Sequence, residues 1–140
     1  MEAQSRRHDG WLAAASIVAV VFGLLTVTEG GHVLFGGEEA RRAAGAYVPY
    51  VLWFNFIAGF AYIAAGAGLW AGHRAAAALA FTIAGATLFT YLMFGVHIAT
   101  GGAYEERTVF AMALRSAVWV AISFAAYRGA WRATPRPAAR

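Results

Sequence analysis

The chain has 140 residues, of which 61% are hydrophobic and only 13% charged, with a formal net charge of +4 and no cysteine. A soluble domain normally carries about a quarter charged residues, so these few, clustered charges exclude a water-coated globule and point to one membrane domain. The missing cysteines exclude disulfides, thiolate metal sites, iron–sulfur clusters and c-type haem attachment.

Residues 1–10 are short, polar and basic, and an apolar run from Trp11 to Thr28 follows. The run is longer than a signal-peptide core and has no small-x-small cleavage site before Glu29, so it reads as a retained first helix over about residues 11–31. The composition then changes, with Gly36, Gly37, Glu38, Glu39, Arg41 and Arg42 together. This is a loop carrying a short interfacial helix over residues 38–44. Pro49 suits the first turn of a second helix, where its missing N–H costs nothing. That helix covers about 48–70, and Gly72-His73-Arg74 is a tight turn. A third helix covers about 75–98 and is broken by Thr100-Gly101-Gly102. Thr108 opens a fourth over about 108–128, and residues 129–140 form an Arg/Pro tail.

At 1.5 Å per residue, a helix of about 20 residues crosses a hydrocarbon core of roughly 30 Å. All four segments meet that test. A β-barrel would require strands that alternate apolar and polar positions, and these runs stay apolar throughout. The expected fold is an all-α integral membrane four-helix bundle in a lipid bilayer. Gly59, Gly66 and Gly68, with Gly85 and the surrounding alanines, should let the helix backbones approach.

Arginine supplies every Lys/Arg position, and Arg6, Arg7, Arg128, Arg132, Arg136 and Arg140 lie at the two ends. That pattern is topogenic charge beside a membrane rather than a nucleic-acid face. An even number of helices puts both termini on one side together with Arg74. The other side holds Arg41, Arg42 and Arg107 among Glu29, Glu38, Glu39, Glu105 and Glu106. Positive-inside therefore places both termini in the cytoplasm. Trp11, Trp70, Tyr127 and Trp131 form the inner aromatic belt, and Phe35, Tyr47, Tyr50 and Tyr104 the outer one. High Ala, Gly and Arg without Lys suggests a GC-rich bacterial gene, hence a bacterial inner (cytoplasmic) membrane.

This orientation collects polar residues at the outer end. Glu29 is about 27 Å up the first helix from Trp11, and Asn55 and Arg115 each lie about 10 Å inside the outer face. His97 comes near the end of the third helix, with Glu105 and Glu106 beyond it. An Arg inside the hydrocarbon costs at least about 2.5 kcal/mol, so it should face the bundle or a wet cavity and seek a carboxylate. Glu29 is the first candidate partner, then Glu105 or Glu106. Such a pair is more often structural than functional. Glu29 and His32 are spaced i,i+3, the Glu-x-x-His spacing of carboxylate-bridged metal sites in bundles, although only one copy is present and Gly30-Gly31 can end the helix before His32. His32 and His97 are also candidate axial ligands for haem. Against these stands the plainer reading of two interfacial histidines bonded locally. Asn55 reads as interhelical glue, and the aromatic cluster around it as packing surface or a quinone, lipid or haem pocket.

Asn55-Phe56-Ile57-Ala58-Gly59-Phe60, Gly66-Ala67-Gly68-Leu69-Trp70 and the Gly72-His73-Arg74 turn resemble the second-to-third helix region of DoxX-like small membrane proteins. That resemblance covers about half the chain and implies a four-helix topology. It also implies association with redox and quinone chemistry. The chain departs from the family pattern at Asn55, where an acidic residue is common, and at Glu29–His32.

Three functions are compatible with these residues. One is a redox-associated component holding quinone, haem or a His/carboxylate-bound metal at Glu29, His32 and His97, with Asn55, Glu105, Glu106 and Arg115 in support. The second is an accessory subunit of a homo-oligomer or larger membrane complex. The third is a small transporter coupled to protonation of Glu29. No nucleotide loop, hydrolase elbow or nucleophile–base pair is present, so no conventional enzyme reaction is indicated.

Overall fold

A computed structural model describes residues 2–132, with side-chain surroundings described for residues 10–128. It contains α1 (Glu2–Phe35), α2 (Gly37–Ala44), α3 (Pro49–Trp70), α4 (Arg74–Ala99) and α5 (Glu106–Arg132), and no strand among the described residues. Four of these helices are long and apolar enough to cross a bilayer. The short α2 covers the stretch expected to be helical between the first two spans, with Glu38 and Glu39 in its first turn and Arg41 and Arg42 in its last, the order that complements a helix dipole. Pro49 occupies the first turn of α3.

Three boundaries differ from expectation, the first being the start of α1, which begins at Glu2 rather than near Trp11. Gly30 and Gly31 do not end α1, which continues through His32 to Phe35. Gly30 is buried against Phe56, whose Cβ lies 3.2 Å from where a Cβ on Gly30 would stand, so tertiary packing outweighs the roughly 1 kcal/mol that each glycine costs a helix. At the other end α5 runs to Arg132 rather than stopping near residue 128, while residues 133–140 of the expected tail lie outside the described residues.

The four long helices form a ring in the order α1, α3, α4, α5. The α1–α3 pairing is the tightest, and its sequence cause is glycine. A Cβ on Gly59 would lie 3.1 Å from the Gly23 carbonyl oxygen, and one on Gly66 would lie 2.8 Å from that of Ser16. Only residues without side chains allow that approach. Gly68 meets Ala76 of α4 in the same way, whereas nothing lies within 4 Å of the Cβ position of Gly85, which takes no part in this packing. Gly72, at φ +70°, supplies the left-handed residue of the α3–α4 turn.

One buried cluster, with Tyr62, Ile83, Trp119 and Ile122 at its centre, fills the middle of the ring. A second, of Val48, Val51, Phe94 and Met112, fills the end that carries α2. Outward-facing positions are equally apolar, Ile17, Leu24, Leu25, Ile57, Phe89, Leu92, Phe110 and Phe124 among them. Water would penalise such a surface, whereas hydrocarbon solvates it. The protein is a multi-pass membrane protein of all-α bundle architecture. Trp11, Trp70 and Tyr127 are exposed at one end, and Phe35, Tyr50 and Tyr104 at the other, as the two belts require. Trp131 lies outside the described side chains.

Candidate functional site

The polar residues that count are deeper than the helix ends. Arg115, nine residues into α5, reaches across to α1 and is only 8% exposed. Its Nη2 donates to Thr26 Oγ1 at 3.3 Å and its Nη1 to Met112 Sδ at 3.6 Å. The guanidinium also lies 5.6 Å from the ring centroid of Phe22, within cation–π range. Its Nε has no hydrogen-bond partner. The expected carboxylate partner is not there. Among the described residues the sole ion pair is Arg42–Glu38 at 2.8 Å, on the surface of α2. Neither Glu29, Glu105 nor Glu106 closes a bridge to it.

Around Arg115 stands a group of other unsatisfied polar atoms. Tyr62 Oη, Thr87 Oγ1, Ser116 Oγ and Trp119 Nε1 are all buried without a hydrogen-bond partner, as is Asn55 Oδ1 nearer the α2 end. Tyr62 Oη faces Thr87 without closing a bond that satisfies either group. The Tyr62 ring lies between Phe22, stacked at 6.2 Å, and Trp119 at 4.6 Å. Elsewhere in the bundle buried hydroxyls are satisfied: Ser16 bonds Leu12 O, Thr90 bonds Ala86 O, and Ser123 bonds Ala80 O of the neighbouring helix at 2.9 Å. Apart from Asn55 Oδ1, every one of the unsatisfied atoms can donate. Burying such groups unpaired costs about 1–3 kcal/mol each, and more for a guanidinium. An acceptor-rich group would satisfy them.

A separate apolar groove lies further along the α1–α5 seam. These two helices touch only sparsely, and between them lies a wholly apolar groove of about 210 Å³. Trp11, Ala14 and Val18 of α1 and Val118, Ala121 and Ala125 of α5 line it. Val118 is three residues beyond Arg115, but the guanidinium turns the other way, to Met112 and to Thr26, which is about 12 Å along α1 from Val18.

The remaining expected site residues form a different structure. Glu29 and His32 are exposed on the last turns of α1, and continued helix does place them on one face. His97 sits on α4, diagonal to α1 in the ring, with Nε2 3.1 Å from Ala103 O and its ring beside Phe94 and Tyr50. The two histidines are not brought together, and no group of three His, Asp or Glu able to hold a metal occurs among the described residues. Glu105 accepts the Ala46 N–H at 2.7 Å, while Arg107 donates to Ala43 O and Ala44 O. These contacts tie the α4–α5 connection to the end of α2. Glu106 is exposed in the first turn of α5. Asn55, half-buried on α3, makes no bond through Oδ1 and so does not act as glue through that atom.

Sequence reasoning found Arg115 and missed Thr26, Tyr62, Thr87, Ser116 and Trp119. Single hydroxyls and aromatics are common in membrane helices, where they bond their own backbone. The i,i+4 spacing of Arg115 and Trp119 on one helix face was the available signal. Comparison with known proteins gives no match: no family model, curated protein or solved structure matches this chain.

Proposed function

We propose that the protein is a redox-associated component of a bacterial inner membrane that binds a quinone. Its termini lie in the cytoplasm and α2 on the periplasmic side. The observation carrying this reading is a buried arginine without a carboxylate partner, above an apolar groove on the same α1–α5 seam. A quinone has matching parts, a hydrocarbon tail for the Trp11–Ala125 groove and a carbonyl oxygen that accepts from Arg115. A fixed positive charge beside that oxygen favours the more electron-rich state of the ring, which would set the potential at which the ligand exchanges electrons. The DoxX-like resemblance of residues 55–74, to a family with quinone-associated members, points the same way. Haem and a His/carboxylate metal have less support, because His32 and His97 occupy diagonal helices.

A second reading draws on the groove's lining. Ala14, Ala15, Ala121 and Ala125 are small enough to receive a partner's transmembrane helix, and a carboxylate on that helix would pair with Arg115. The chain would then be an accessory subunit.

A photo-crosslinking side chain at Ala121, activated in native membranes, tests both. A quinone adduct supports the first reading. A protein adduct supports the second and overturns the first.

A further inference from the structure

A second pocket, independent of Arg115, lies where α1 ends beneath α2. The last carbonyls of a helix lack intrahelical partners. At the end of α1 one of them, Leu34 O, accepts from Arg41 Nη2 at 3.2 Å. This bond holds the guanidinium at the rim of a wedge of about 170 Å³. Arg41 and Tyr47 form the polar rim, with Val33, Pro49, Leu52 and Trp53 beneath. Arg42, one residue on, is held by Glu38 at 2.8 Å, whereas Arg41 has no carboxylate within ion-pair distance among the described residues. A guanidinium has five N–H donors, and the carbonyl of Leu34 is the one acceptor found for this group among the described residues.

The wedge is amphipathic in a fixed direction. Its charged rim is level with the ends of α1 and α3, where headgroups lie, and its apolar floor points into the span. An anion in water would gain nothing from Leu52 and Trp53, and a bare hydrocarbon would leave Arg41 unused. We propose that this wedge binds a membrane phospholipid of the α2-side leaflet. Arg41 donates to the phosphate oxygens, Tyr47 flanks the headgroup, and the first part of an acyl chain packs on Leu52 and Trp53. The link between α1 and α3 thereby becomes a lipid-filled joint.

Native mass spectrometry of the full chain in detergent, with dioleoylphosphatidylglycerol, dioleoylglycerol or inorganic phosphate added, tests this. The phospholipid adduct should persist in the wild type and in Arg42→Gln. It should fall about tenfold in Arg41→Gln, as expected for the loss of one charge-assisted hydrogen bond. Val33→Trp, which fills the floor and leaves Arg41 in place, should also reduce it. Dioleoylglycerol should be held poorly, and millimolar phosphate should not displace the lipid. Equal retention in Arg41→Gln, or equal retention of dioleoylglycerol, would overturn phosphate recognition. Displacement by inorganic phosphate would assign the wedge to a free anion and overturn the lipid.

Discussion

Arg115 behaves unlike a structural ion. Breaking a buried ion pair costs about 3–5 kcal/mol, because a charge is left uncompensated. Here the charge has no carboxylate partner among the described residues, and Thr26, Met112 and the face of Phe22 surround it. Arg115→Met, which keeps the length of the side chain and removes the charge, should therefore leave the midpoint of thermal unfolding in detergent unchanged or raise it. Thr26→Val should cost about 1.5 kcal/mol with Arg115 present, because a bond to a charged donor is lost. It should cost little in the Arg115→Met background, a coupling that a double-mutant cycle measures. Glu29→Gln should shift stability by less than about 0.5 kcal/mol, since Glu29 makes no bridge. A large loss in Arg115→Met would return this residue to a purely structural role. Composition made the arginine legible, because a single charge deep in an apolar run has few destinations. Its partner was not legible, since the ring order that brings Thr26 rather than a glutamate to it is set by glycine packing between α1 and α3.

At the scale of the helix, the spans followed from hydropathy, and the α3–α4 turn from Gly72-His73-Arg74. The end of α1 did not follow, because Gly30-Gly31 is a local signal for a stop while Phe56 supplies a non-local contact that overrides it. The same distinction separates the glycines. Gly59→Leu and Gly66→Leu place a side chain into backbone at about 3 Å and should destabilise by about 1–3 kcal/mol or more, read as a lower unfolding temperature. Gly85→Leu should be neutral or slightly stabilising, because its Cβ position is open and leucine is the better helix former. Comparable losses at all three positions would contradict the α1–α3 interface described above.

For the whole molecule, the ring leaves one weak side, α1 against α5, and the groove lies there. Its existence could not be read from spacing, because a stripe of alanines looks the same whether it packs or gapes. The topology is testable by itself. Cysteines at Glu38 and Tyr104 should react with a membrane-impermeant maleimide from the periplasm, and one at Arg74 should react only after the membrane is opened. Labelling of Arg74→Cys from outside would invert the orientation.

The most direct test of quinone binding is a titration of the purified protein in detergent with decylubiquinone, followed by tryptophan fluorescence. Trp11 lines the groove and Trp119 lies one turn from Arg115, so a bound quinone should quench both. Saturable quenching in the wild type, weakened at least about tenfold in a normally folded Arg115→Met protein, is the predicted result. Quenching that never saturates, or that is equally tight without the guanidinium, would contradict a quinone site at Arg115.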